Sequence, residues 1–191
     1  GLTPGRGFQM FMAIYPKLHR KFPGLSIAPI EMTAFRQQAA LKNGEIDIGF
    51  LMLSEENKSS DTYIEIGTEE ILFVMPKFHP LCSTIKSDGE SEFPIIDLQL
   101  IKHEPFAMMY KSSTNRFICD RICREADFIP QILFETSNTA SILQMIELGL
   151  CVGLIPRNYL KDANTDKVAI YMLPNHPDCE DPLCAYFLQT D

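Results

Sequence analysis

The chain has 191 residues, 46% of them apolar, with 25 acidic against 17 basic side chains and a net charge of −8. That length holds one large domain or two small ones on a sheet-based core, and the acidity excludes the clustered basic face that grips nucleic acid. No apolar run is long enough to span a bilayer, and the opening GLTPGRGFQMFMAIYP is too broken by proline and glycine for a signal segment, so a cytoplasmic protein is expected.

Gly1-Leu2 reads as the end of a strand, and Thr3-Pro4-Gly5 as the turn after it. Phe8, Phe11, Met12, Tyr15, Leu18 and Phe22 then recur at a helical period, with Pro16 set to kink the helix. Its cluster Lys17, His19, Arg20 and Lys21 reads as a solvated face. Leu25, Ile27 and Ile30 predict a strand ending at Glu31, Thr33 starts the helix AFRQQAAL, and Gly44 stops it. IDIGFLML follows as an apolar run expected to be buried on both faces. SEENKSSDTY is a polar loop, and EEILFVMP a strand ending at Pro76, with Glu69 and Glu70 at its solvated mouth.

Residues 83–92 show no periodicity, and IIDLQL suggests a turn of helix. PFAMMY is a strand, KSSTN the start of helix RFICDRICREAD, and QILFET another strand. SNT starts a helix with Ile142, Met145, Ile146 and Leu148 inward, Gly149 caps it, and CVGLIP is a buried strand. RNYLKDA is a helical turn, and VAIYMLP and PLCAYFLQ are the last strands. The alternation predicts an α/β fold with mostly parallel strands. Residues 1–53 and 105–156 repeat one pattern, which predicts two Rossmann-like lobes with a central cleft, where ligands settle.

The six cysteines form no C-x-x-C pair and the four histidines are scattered, so no metal site follows. Cys119 and Cys123, four apart, read as buried small hydrophobes against the alternative of a redox pair; Cys151 reads as core, Cys179 and Cys184 as exposed thiols. There is no Ser–His–Asp pattern, nucleophile elbow or Gly-rich phosphate loop, and His79 reads as a loop residue, so neither catalysis nor a cofactor is expected.

Four loops at strand ends supply candidate ligand contacts: Thr3, Pro4 and Gly5; Thr33 and Ala34; Lys111, Ser112, Ser113 and Thr114; and Ser137, Asn138 and Thr139. Each offers hydroxyls or free backbone donors backed by a helix dipole, which suits an anion such as a carboxylate. Taken singly, each reads first as an ordinary helix cap, worth about 1 kcal/mol of stability; four on matching strand ends favour a site. Lys111 and Arg6 are the nearby cations, and Phe50 and Phe106 are candidates for an apolar wall or for core.

Gly1-Leu2-Thr3-Pro4 before a kinked helix, FPGLSI, QQAALKNGEIDIGFL, EEILFVMPKFHPL and ETSNTASILQMIELGLCVGLIP stand in an order and spacing that resemble the effector-binding domain of LysR-type transcriptional regulators. The resemblance implies a periplasmic-binding-protein-like (type 2) fold, with lobe I over 1–74 plus 172–191 and lobe II over 75–171. It also implies an effector pocket in the same four loops, and lobe movement relayed to a DNA-binding winged helix-turn-helix absent from this chain. The first strand is clipped, a closing helix is missing, and Cys151 stands where the family commonly has glycine. Implied partners are a small effector, a second copy joined through the helices at 8–22 and 138–149, a tetramer at full length, DNA through the absent segment, and no membrane. The alternatives are a solute-binding protein feeding a transporter, or a small enzyme of the same fold.

Overall fold

The computed structural model describes residues 1–54, 57–58, 63–87, 89–161 and 163–174, and the backbone of 184–189. Most of the expected SEENKSSDTY loop, and Cys179, lie outside them. The elements run α1 (Arg6–Lys21), α2 (Ala34–Lys42), β1 (Ile48–Leu53), β2 (Tyr63–Gly67), β3 (Ile71–Pro76), β4 (Pro105–Met109), α3 (Thr114–Glu125), β5 (Gln131–Thr136), α4 (Thr139–Glu147), β6 (Gly153–Pro156), β7 (Val168–Tyr171) and β8 (Cys184–Gln189). Two units result, one of Gly1–Thr68 and Leu183–Asp191, the other of Glu69–Pro182. The first crossing falls at 68/69, not at 74/75, because all of β3 pairs with β6 and β7 inside the second unit. The return comes after 171/172, since Met172 bridges to Ile95 there.

In the first unit, Thr33 caps α2 with its Oγ1 accepting the Arg36 N–H at 3.4 Å, and Gly44 ends the helix at φ +67°, as its position predicts. Ala34 packs on Leu51 and Leu53 of β1. Burial in β1 alternates, with Gly49, Leu51 and Leu53 inside and Ile48 exposed, so one face only is fully covered, contrary to the expectation of two. β8 lies between β1 and β2, antiparallel to both. On the far side, Leu2 bridges in parallel to Phe50 and to Glu31.

The strand expected over Leu25–Ile30 does not form. Pro29 has no N–H to donate, Leu25 and Ile30 are about half exposed, and two bonds, Leu2 N–H to the Ile30 carbonyl and Met32 N–H to the Leu2 carbonyl, are what tie the segment to its neighbour. β2 forms where no strand is expected, its first residue, Tyr63, lying in the expected polar loop. Helix α1 runs through Pro16 as one element, but of its residues Gly7 alone is buried. The helical period holds, yet Phe8, Met12 and Phe22 face solvent.

In the second unit, β3 is flanked by β6 and β7, antiparallel to each, while β4 and β5 are parallel and Phe106 bridges in parallel to Val152. Both units therefore carry one parallel arrangement, second segment beside first beside third: Glu31–Leu2–Phe50 and β5–β4–Val152. The expectation of mostly parallel strands holds for these contacts only: among the described strands β4–β5 is parallel, whereas β1–β8, β2–β8, β3–β6 and β3–β7 are antiparallel. Leu72, Val74, Ala107, Ile142, Ile146, Cys151, Ile155 and Val168 form the core. Leu148, expected inward, is 69% exposed because α4 stops at Glu147; Leu143 takes the inward place. Glu69, expected at a solvated mouth, is buried and accepts the Asn158 backbone N–H at 2.8 Å.

Cys119, Cys123 and Cys151 are free and buried, Cys82 free and half-buried. Burial pushes the Cys123 thiol up to about 12 and Cys151 to about 11, and raises Cys119 well above the usual range. Among the described residues, no group of His, Cys, Asp and Glu is placed to hold a metal, and no helix is long and apolar enough to cross a membrane.

Candidate functional site

A strand that ends in a helix start leaves unpaired N–H groups at its carboxyl end, and each unit places two such ends side by side. In the first unit, Thr3 donates its N–H to the Phe50 carbonyl at 3.2 Å, and Gly5 opens α1 at φ +73°, a conformation glycine adopts without cost. A Cβ at Gly7 would meet Thr3 Oγ1 at 2.9 Å and the Leu2 carbonyl carbon at 3.1 Å, so this turn is packed down to its backbone. Thr3 Oγ1 is buried with no partner. The space there, lined among others by Thr3, Arg6, Met10, Phe50 and Ile66, is too tight to admit a water.

The second loop of this unit is fixed by a residue that pattern reading passed over. Gln37, on α2 and fully buried, donates Nε2 to the carbonyls of Met32 and Phe50, at 3.2 Å each, and so ties the approach to Thr33 onto β1. Thr33 Oγ1 accepts the cap bond, which leaves its O–H to donate, and Ala34 is 3% exposed, so what this loop offers is that hydroxyl and backbone.

In the second unit, Met109 and Thr136 end the register of β4 and β5, and the loops Lys111–Ser113 and Ser137–Asn138 leave from there. Lys111, Ser112, Ser137 and Asn138 are exposed, Ser113 is half-buried, and Thr114 and Thr139 are buried. Asn138 Oδ1 accepts the Ala140 N–H at 2.9 Å, which is the cap reading; Thr139 Oγ1 contacts Met109 Sδ at 3.5 Å. Ser113 makes no side-chain cap bond. Phe106, by contrast, is core, its ring centroid 6.5 Å from that of Phe73.

The cation built into this end is Arg116, which the sequence reading missed. Its guanidinium, 4% exposed, donates to Asp120, to Glu135 and to the Met109 carbonyl, fixing the end of β4. Burial alone would lower its pKa, but the bonds from Glu135 and Asp120 outweigh that and hold it raised. Arg at the third position of a helix, one turn from Asp, was the available signal.

None of α1, α2, α3 and α4 carries an acidic residue in its first turn. Acids there are stabilising and common, so none of the four positive ends is countered by an acid of its own first turn, although at α3 the Glu135 and Asp120 carboxylates bind Arg116 within that turn.

A family model described as the LysR substrate binding domain matches residues 1–190. The chain is 26% identical over 175 residues to the uncharacterized HTH-type transcriptional regulator YwbI of Bacillus subtilis, covering 91% of this chain and 54% of that protein. It is 25% identical over 203 residues to the HTH-type transcriptional regulator AlsR of Bacillus subtilis, covering 98% and 63%. The chain thus spans about half the length of the curated relatives it matches. Among solved structures, the effector-binding domain of QuiR in complex with shikimate superposes with TM-score 0.76 at 15% identity, over 100% of this chain and 85% of that one. The BenM effector-binding domain with benzoate gives 0.73 at 19%, over 100% and 82%. These likenesses establish the type 2 periplasmic-binding-protein-like fold, and the family and relatives are transcriptional regulators rather than enzymes. The chain belongs to the LysR substrate-binding domain family.

Proposed function

We propose that this chain senses a small anionic effector for a LysR-type transcriptional regulator, using the loops at Thr3–Gly5, Thr33–Ala34, Lys111–Thr114 and Ser137–Thr139, with Phe50 as an apolar wall. The observation that carries it is the set of four helix N-termini without an acidic residue in any first turn, paired at adjacent strand ends in each unit. QuiR and BenM are solved with shikimate and benzoate, both carboxylates, which supports the same ligand class here. Binding between the lobes would shift their arrangement by its differential affinity for the two states, and the change would pass to a DNA-binding segment outside this chain. The regulator names of the relatives favour this reading over a transporter's solute-binding protein, and over an enzyme. It implies a cytoplasmic protein.

The same reading includes a homodimer through this domain and a tetramer at full length. Helix α1 supports it, with Phe8 at 41%, Met12 at 52% and Ile14 at 43% exposure. The second surface is better placed on β5, the edge of its sheet, where Ile132, Leu133 and Phe134 are exposed, than on α4, whose Ile142, Leu143 and Ile146 are taken by the core. Thermal shift and calorimetry against small carboxylates and their neutral amides test the ligand class. Stabilisation by acids and not amides is the expected result, and none by any anion refutes it.

A further inference from the structure

Glu69 is a carboxylate 3% exposed that the effector reading does not use. Its Oε1 accepts the Asn158 backbone N–H at 2.8 Å, and its Oε2 accepts the Asn158 side-chain amide. The next residue is bound to the same turn: Arg157 donates its backbone N–H to the Glu70 carbonyl at 2.8 Å and Nη1 to the Glu70 carboxylate at 2.9 Å. The Arg157 guanidinium also pairs with Glu92 and lies 5.7 Å from the centre of the Phe93 ring. A carboxylate buried this far is tolerated because its bonds are made, and breaking them is costly.

Immediately upstream the restraints thin: Gly67 is the last residue of β2 and still opposes Ala185 of β8, while Thr68 lies in no strand. Gly67 and Thr68 are exposed, a Cβ at Gly67 would meet nothing within 4 Å, and the β2–β8 register shifts between Glu65 and Gly67. The grip of the second unit thus begins abruptly at its first residue.

We propose that Glu69, locked onto Asn158, anchors the second-unit end of this connection, so that bending of the first crossing is concentrated at Thr68, just past the paired end of β2 at Gly67. Hinges commonly concentrate their φ and ψ changes in a few such residues, and Glu70 with Arg157 closes the anchor behind Glu69. The purpose of the bending rests on the effector-sensing reading; the anchor itself does not.

Hydrogen exchange of the unliganded chain tests the anchor without any ligand. The amides of Arg157 and Asn158 should exchange at least 100-fold more slowly than that of Thr68. Glu69→Ala should speed exchange at Arg157, Asn158 and Leu72 at least tenfold and leave β4 and β5 unchanged. If Glu69→Ala does not fold, Asn158→Ala, which removes one of the two donors, should give a smaller acceleration at the same amides. A Thr68 amide as protected as that of Leu72, or folded variants with unchanged exchange at Asn158 and Leu72, would overturn the proposal. Failure of every anion to bind would sink the sensing reading and leave this exchange pattern as it is.

Discussion

Tyr110 donates its backbone N–H to the Thr136 carbonyl at 3.0 Å, so the loops that open α3 and α4 depart from one hydrogen-bonded point. A ligand held there would meet two helix N-termini at once, with Ser112, Ser113 and Ser137 hydroxyls beside them.

Ser113→Asp separates the cap role from the ligand role. A carboxylate at this N-cap should stabilise α3 by about 0.5–1 kcal/mol while repelling an anionic effector. We expect an unchanged or higher melting temperature without ligand, and a carboxylate affinity at least tenfold weaker by calorimetry.

Gly149→Ala should destabilise the second unit by about 1–2 kcal/mol in urea unfolding, the cost of φ +78° for a residue with a side chain. A Cβ there would also lie 2.3 Å from Phe78 Cζ, but that ring is 74% exposed and free to swing away. Adding Phe78→Ala should therefore recover little of the loss, and recovery of most of it would place the cost in the clash instead.

The buried thiols predict a loss of stability in alkali. Their folded pKa values lie above the ordinary 9.0, so as pH rises the unfolded chain releases protons that the folded chain keeps, and unfolding becomes easier. The effect should begin near pH 9 and continue to about 11, where folded Cys151 itself ionises, with a slope on the order of 1 kcal/mol per pH unit for each thiol. Replacing Cys151 by Ala should flatten the slope in that window. At pH 8, a thiol reagent should label Cys82 ahead of Cys119, Cys123 and Cys151.

Met12→Glu tests the dimer. The side chain is 52% exposed, so the monomer fold should tolerate the change within about 0.5 kcal/mol. Sedimentation should show a shift to monomer, and an unchanged dimer would clear α1 of the role.

Signals written into local chemistry were legible: Thr33 as a cap, Gly44 and Gly149 as helix stops, and the apolar run of β3 all stand where their residue types put them. What pattern could not supply was the partner of each face. Phe8 to Phe22 has a helical period whether its stripe meets a core or solvent, and Leu25 to Ile30 reads as a strand until Pro29 leaves it short of a donor. Glu69 failed for the same reason, because its bonds come from Asn158, 89 residues away. At the candidate site the loops were readable from their hydroxyls. Gln37 and Arg116, which hold those loops, were not, since a glutamine or arginine on a helix says nothing about burial until the fold closes over it.

The acid-free first turns carry one more consequence. Backbone amides do not titrate, so a site built on them holds its positive character across the whole pH range in which the protein is folded. Its response to acidity would then belong to the ligand: grip on a carboxylate should stay flat through neutrality and fall only where the small molecule takes up its own proton, near pH 4 for an ordinary carboxylic acid.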